Sequence, residues 1–67
     1  MKLQFSLHAR EQMTERGVSD AEVIRAIRRG STYRQLPDKF VAMYTYFSVV
    51  YRIVDGTHRI ITVQPLP

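Results

Sequence analysis

The stretch Ser48-Val49-Val50-Tyr51-Arg52-Ile53-Val54-Asp55-Gly56-Thr57-His58-Arg59-Ile60-Ile61-Thr62-Val63-Gln64 reads as two strands around one turn. β-Branched and aromatic residues fill both arms, as a pleated surface favours. Asp55-Gly56 between them is a strong hairpin signal. The length of the loop decides which side chains share a face. A two-residue Asp55-Gly56 turn sets Arg52 opposite Arg59, and like charges directly opposite are unfavourable. A three-residue loop, Val54-Asp55-Gly56, sets Arg52 opposite His58 and puts Gly56 at a left-handed bulge position. One face is then Val49, Tyr51, Ile53, Arg59, Ile61 and Val63; the other is Val50, Arg52, His58, Ile60, Thr62 and Gln64. The second register separates apolar from polar side chains better and is the one expected, with Arg52, His58 and Thr62 on the open face.

Upstream, Lys39–Tyr46 and Ser31–Leu36 also read as strands, with Pro37-Asp38 as the turn between them. The break near Tyr46-Phe47-Ser48 carries no strong turn signal. Before residue 30 the period is helical. Ser19 and Glu22 have capping-box spacing, Val18 and Val23 staple spacing, and Val23, Ile24 and Ile27 form a buried stripe that Gly30 ends as a left-handed stop. Ser6 caps an earlier helix that ends at Gly17, with a narrow apolar side of Leu7, Ala9 and Met13. Lys2-Leu3-Gln4-Phe5 alternates like a short edge strand. The reading is one domain over residues 1–67, with helices over about 7–16 and 19–29 and a strand meander over about 31–64. The expected class is α+β: two N-terminal helices packed on one face of a curved antiparallel sheet.

With 67 residues the core is thin, and 45% hydrophobic content has to suffice. The absence of cysteine excludes disulfides, thiolate catalysis and Cys-ligated zinc. Two histidines without a carboxylate cluster give no basis for a metal site, and no cofactor motif is present. No apolar run is long enough to span a bilayer, and no basic-then-apolar leader pattern opens the chain, so a cytoplasmic location without membrane contact is expected.

The net charge is +4, and eight of the ten cations are arginines. Arginine forms planar, bidentate contacts with phosphate and carboxylate, so nucleic acid or an acidic protein are the partners the charge implies. Arg25, Arg28 and Arg29 also suit the last turns of a helix, where cations favour the dipole. Tyr33, Tyr44, Tyr46 and Phe47 have the types that stack on bases, although tyrosine in strands more often packs a core. His8, Gln12 and Arg16 recur at i, i+4 and i+8 along one helix face. Such a stripe suits work on a phosphate, and it equally suits a polar pin between helix and sheet.

The run His8-Ala9-x-x-x-Met13-x-x-Arg16-Gly17-Val18-Ser19, followed by an acidic capped helix and a meander ending near Ile60-Ile61-Thr62-Val63, resembles the prokaryotic family called domain of unknown function 4258. That family looks like a compact relative of the RelE and ParE toxins. The resemblance implies helices against a sheet, a basic surface covered by an antitoxin partner, and, for RelE-type members, mRNA cleavage by basic and titratable side chains on the sheet; ParE-type members act on gyrase instead. His8 and Arg16 match the family pattern position by position. Gln12 stands where the pattern has arginine, which weakens any role for a middle cation.

Two functions follow as expectations. In the first, the chain is a metal-independent endoribonuclease of toxin type. His8 or His58 is acid or base, Arg16 and Arg52 stabilise phosphate charge, and Arg25, Arg28, Arg29, Arg34 and Arg59 steer RNA or the ribosome. In the second, the same basic surface is a non-catalytic module for an acidic antitoxin-like protein or nucleic acid, and the His8–Arg16 stripe is structural. Pairing of Lys39–Tyr46 or Lys2–Phe5 with a second copy would make a homodimer.

Overall fold

A computed structural model describes residues 1–66. Five strands and two helices follow in the order β1 (Lys2–Phe5), α1 (Leu7–Arg16), α2 (Asp20–Arg29), β2 (Ser31–Gln35), β3 (Lys39–Tyr44), β4 (Phe47–Val54) and β5 (Thr57–Pro65). They form one sheet in the order β1-β5-β4-β3-β2. The expected class needs two corrections. A strand precedes the helices, and it pairs parallel with β5, so the sheet is mixed rather than antiparallel. Strand residues also outnumber helical ones. The molecule is sheet-dominated, with two short helices on one face.

Local chemistry sets the helix ends. Ser6 Oγ accepts from the Ala9 amide at 2.9 Å and donates to the Ile61 carbonyl at 2.8 Å, so the cap of α1 is also tied to β5. Gly17 closes α1 at φ 69°, where a Cβ would be strained. The Ser19–Glu22 capping box opens α2. The Ser19 amide donates to Glu22, holding that carboxyl below the usual range. Arg10 fastens three elements together. Its guanidinium lies 3.9 Å above the Phe5 ring of β1 and is ion-paired with Asp20 at the start of α2 at 2.6 Å.

The core lies between the helices and one sheet face. Ala9 and Met13 of α1, Val18 of the connection, and Val23 and Ala26 of α2 pack on Ala42, Phe47, Val49, Tyr51, Ile60 and Val63. Phe40 stacks on Tyr51 with centroids 5.5 Å apart, and Phe47 meets both Tyr44 and Tyr46 edge-on.

The β4–β5 register differs from the expected one. Val54 pairs with Thr57, Ile53 with His58, Arg52 with Arg59 and Tyr51 with Ile60, so the loop has two residues. Asp55 at φ 50° and Gly56 at φ 76° are both left-handed, as a type I′ turn requires. Val50 then pairs with Thr62, so Ile61 is the extra residue of a β-bulge. The bulge returns Val63 to the core, opposite Val49, with both fully buried. Alternation alone implied one uniform register from turn to strand end. The molecule instead keeps the better turn and shifts the pattern by a bulge five residues further on.

β3 ends at Tyr44, and Thr45-Tyr46 makes a tight turn into β4 despite the positive φ of 49° at Thr45. β3 lies between β2 and β4, so it has no free edge with which to recruit a second copy; β1 and β2 are the edges.

Gly30 is not the left-handed stop expected of it. Its φ of −75° is open to any residue. The reason for glycine is space, since a Cβ there would sit 2.5 Å from the carbonyl oxygens of both Ala26 and Met43. Gly30→Ala is therefore expected to destabilise the domain by about 1–3 kcal/mol, the cost of overpacking against backbone, measured by urea unfolding. A neutral or stabilising effect would show that α2 and β3 are not held this close.

Candidate functional site

Side chains alternate between sheet faces, so the register fixes the site. On the face turned from the helices, Gln35 of β2 pairs with Lys39 of β3, Arg52 of β4 pairs with Arg59 of β5, and Arg59 pairs with Gln4 of β1. Lys39 and Arg52 stand next to each other one step beyond the Phe40–Tyr51 pair. A single cross-strand row thus runs Gln35, Lys39, Arg52, Arg59, Gln4. Three of its five members are cations on three adjacent strands.

The row borders a cavity of about 440 Å³ lined by Gln4, Lys39, Arg52, Arg59 and Ile61, among others. A second cavity of about 460 Å³ continues from it, shares Lys39 and Ile61, and is walled by Tyr33, Val41, Met43, Val50, Thr62 and Leu66. One end of the groove is cationic and the other is apolar with a few hydroxyls and amides. Among the described residues no carboxylate lines either cavity. Asp38 stands beside the row, its Oδ2 3.4 Å from Arg52 Nε. That Nε is shielded from solvent and, among the described residues, has no aligned hydrogen-bond acceptor.

The candidate residues named from the sequence do not gather here. Arg52, Arg59 and Thr62 face the groove, but His58 does not. It points to the helix side, where its ring lies 5.4 Å from Tyr51 and its buried Nδ1 has no partner among the described residues. Burial pushes the neighbouring Tyr51 phenol up, with a hydrogen bond to Thr32 partly opposing the shift. The expected grouping of Arg52 with His58 fails because the loop has two residues rather than three.

Arg16 donates to Gln12 Oε1 at 2.8 Å and reaches the Val63 carbonyl at 3.4 Å, so it joins α1 to β5 on the helix side. His8 is exposed on α1. Arg25, Arg28 and Arg29 are exposed on α2. Arg34 pairs with Phe40 and so lies on the helix-side face of edge strand β2.

Of the four aromatic residues considered for stacking, Tyr33 alone lines the groove; Phe47 is core, Tyr44 packs on it, and Tyr46 reaches Glu22. Sequence reasoning passed over Lys39 and Asp38. Their signal was present in Pro37-Asp38-Lys39, where a turn residue precedes the first cation of a strand, but using it required the β3–β4 register.

Comparison with known proteins gives the class. A family profile described as Domain of unknown function (DUF4258) matches residues 5–64, and the chain belongs to that family. Among solved structures, a chain of the toxin-antitoxin complex RelBE2 from Mycobacterium tuberculosis has the same fold, with a TM-score of 0.70 and 22% identity over 97% of this chain and 96% of that one. A search of curated proteins gave no match. The family implied by the N-terminal motif is thus shown, and the fold is shared with a chain of a toxin-antitoxin complex.

The polar stripe on α1 divides into a joint and a free side chain. Arg16→Ala is expected to lower stability by about 1 kcal/mol, the net worth of a typical hydrogen bond. His8→Ala should stay within about 0.5 kcal/mol of wild type, as surface changes do. Thermal unfolding of both variants checks this, and a larger loss for His8→Ala would reverse the assignment.

Proposed function

We propose that this chain is a non-catalytic docking module of the toxin–antitoxin type, whose open sheet face receives an acidic, partly apolar segment of a partner protein. The carrying observation is the row Lys39, Arg52, Arg59 beside an apolar groove. Placing like charges opposite each other in a sheet opposes folding, and a local rule broken with only one exposed ion pair, Asp38 to Arg52, to offset it marks a functional surface. An anionic partner removes the repulsion. The apolar wall of Val41, Met43, Val50 and Leu66 favours a partner with aliphatic anchors over a single-stranded nucleic acid, for which Tyr33 alone would offer a stacking face. That a chain of this fold occurs in a toxin-antitoxin complex supports the same setting.

The endoribonuclease reading asks for acid, base and cation around one phosphate. His58 and Arg52 lie on opposite faces of the sheet, and Arg16 is engaged at the helix–sheet joint. This arrangement favours docking over cleavage.

The test uses a labelled synthetic peptide alternating Glu and Leu, with single-stranded RNA in parallel. Peptide binding should weaken with salt and fall about tenfold, or about 1.4 kcal/mol, when Arg52→Gln and Arg59→Gln are combined. Arg59→Gln alone should raise folding stability by about 0.5 kcal/mol as the repulsion is lost. RNA cleavage by the purified chain that disappears in His58→Ala or Arg52→Ala would sink the docking reading.

A further inference from the structure

The cationic row already has an anion on it, supplied by the chain itself. Asp38 stands in the exposed turn between β2 and β3, directly before Lys39, and points its carboxylate at Arg52 Nε from 3.4 Å. Both side chains are about half exposed, at 41% for Arg52 and 54% for Asp38. An ion pair this open to water is weak and exchanges readily. Its geometry is also incomplete. The Nε hydrogen is hidden from solvent yet lacks an aligned acceptor, whereas a guanidinium at its best takes both oxygens of a carboxylate along parallel N–H directions.

Arg52 is thus held in a half-satisfied state, beside two further cations that, among the described residues, no carboxylate of the cavity wall neutralises. A ligand carboxylate arriving along the groove can bind Arg52 side-on, satisfy the shielded Nε and bring its charge close to Lys39 and Arg59. Asp38 cannot serve those other two cations while it stays on Arg52.

We propose that Asp38 is a resident competitor for this anion site, and that an acidic partner segment docks by replacing the Asp38 carboxylate on Arg52. The inference rests on the docking reading above and adds its regulation. Asp38 covers Arg52 when no partner is present, and it raises the threshold for weakly acidic ligands. A partner that presents carboxylates to the whole row overcomes the competitor; a single stray carboxylate does not. The chain thereby selects for multiply acidic segments.

The experiment measures affinity for the labelled Glu–Leu peptide in wild type, Asp38→Asn, Asp55→Asn and the Arg52→Gln/Arg59→Gln double variant. Asp55→Asn removes the same charge from the β4–β5 turn, and Asn tolerates the positive φ there. Asp38→Asn should tighten binding about two- to fivefold, the range that corresponds to an exposed ion pair, with Asp55→Asn changing it by less than half of that. Asp38→Ser serves as the second variant and should tighten binding similarly. The gain should vanish when Asp38→Asn is combined with Arg52→Gln, because the competitor acts through that arginine.

Equal effects of Asp38→Asn and Asp55→Asn would overturn the proposal, since net charge would then account for both. So would unchanged or weaker binding by both Asp38 variants while the wild type still binds in a row-dependent way; in that case the docking reading survives. If wild type and Asp38→Asn bind the peptide no better than the double arginine variant, the docking reading falls and the competitor falls with it.

Discussion

The type I′ turn at Asp55-Gly56 is the constraint on which the rest of the molecule depends. Two consecutive left-handed residues match the right-handed twist of the flanking strands, and that match fixes Ile53 against His58 and Arg52 against Arg59. Every later assignment follows from it. Tyr51 and Ile60 turn to the helices and become core, His58 turns the same way, and Arg52 and Arg59 are left together on the open face. A loop one residue longer would have exchanged the partners of Arg52 and made a different surface from the same sequence.

The turn places like charges in register, and the bulge at Ile61 corrects what the turn would otherwise do to the core. Without the extra residue, Thr62 would point inward and Val63 outward. With it, Val63 meets Val49 in the interior while Thr62 lines the groove. Ser6 reinforces this point by bonding the Ile61 carbonyl with the hydroxyl that also caps α1. The start of the first helix is therefore fastened to the irregularity that sets the faces of β5. The cationic row remains as a feature that packing does not require.

Legibility followed the range of the interactions. The capping box of Ser19 and Glu22 and the Gly17 stop could be read because each is settled within a few residues; the Asp-Gly signal located the second hairpin, but alternation pointed to a three-residue loop where the molecule has two. The N-terminal motif, together with the meander, pointed to the family whose profile matches residues 5–64. The parallel pairing of β1 with β5 was not legible, because it joins residues more than fifty positions apart and the alternation in Lys2–Phe5 does not state a direction. Alternation reports only a uniform register, so the bulge leaves no mark in it, and a uniform register places Arg52 and His58 on one face. Gly30 was read as a conformational glycine, whereas its reason is the approach of the β3 backbone, which only the tertiary structure shows. Lys39 and Asp38 joined the site by pairing across strands rather than by any motif.

What emerges is a small sheet that keeps its hydrophobic face for two short helices and turns a row of cations outward beside an apolar groove. The most direct test of that account is the arginine Nε region of the proton–nitrogen NMR spectrum, recorded during titration with the Glu–Leu peptide. The account predicts that the Arg52 and Arg59 Nε signals shift together and saturate at the same peptide concentration, while Arg16 and the ring signals of His8 and His58 stay in place. Shifts centred on His8, His58 and Arg16 with Arg52 and Arg59 unmoved would contradict it, and would put the binding surface on the other side of the sheet.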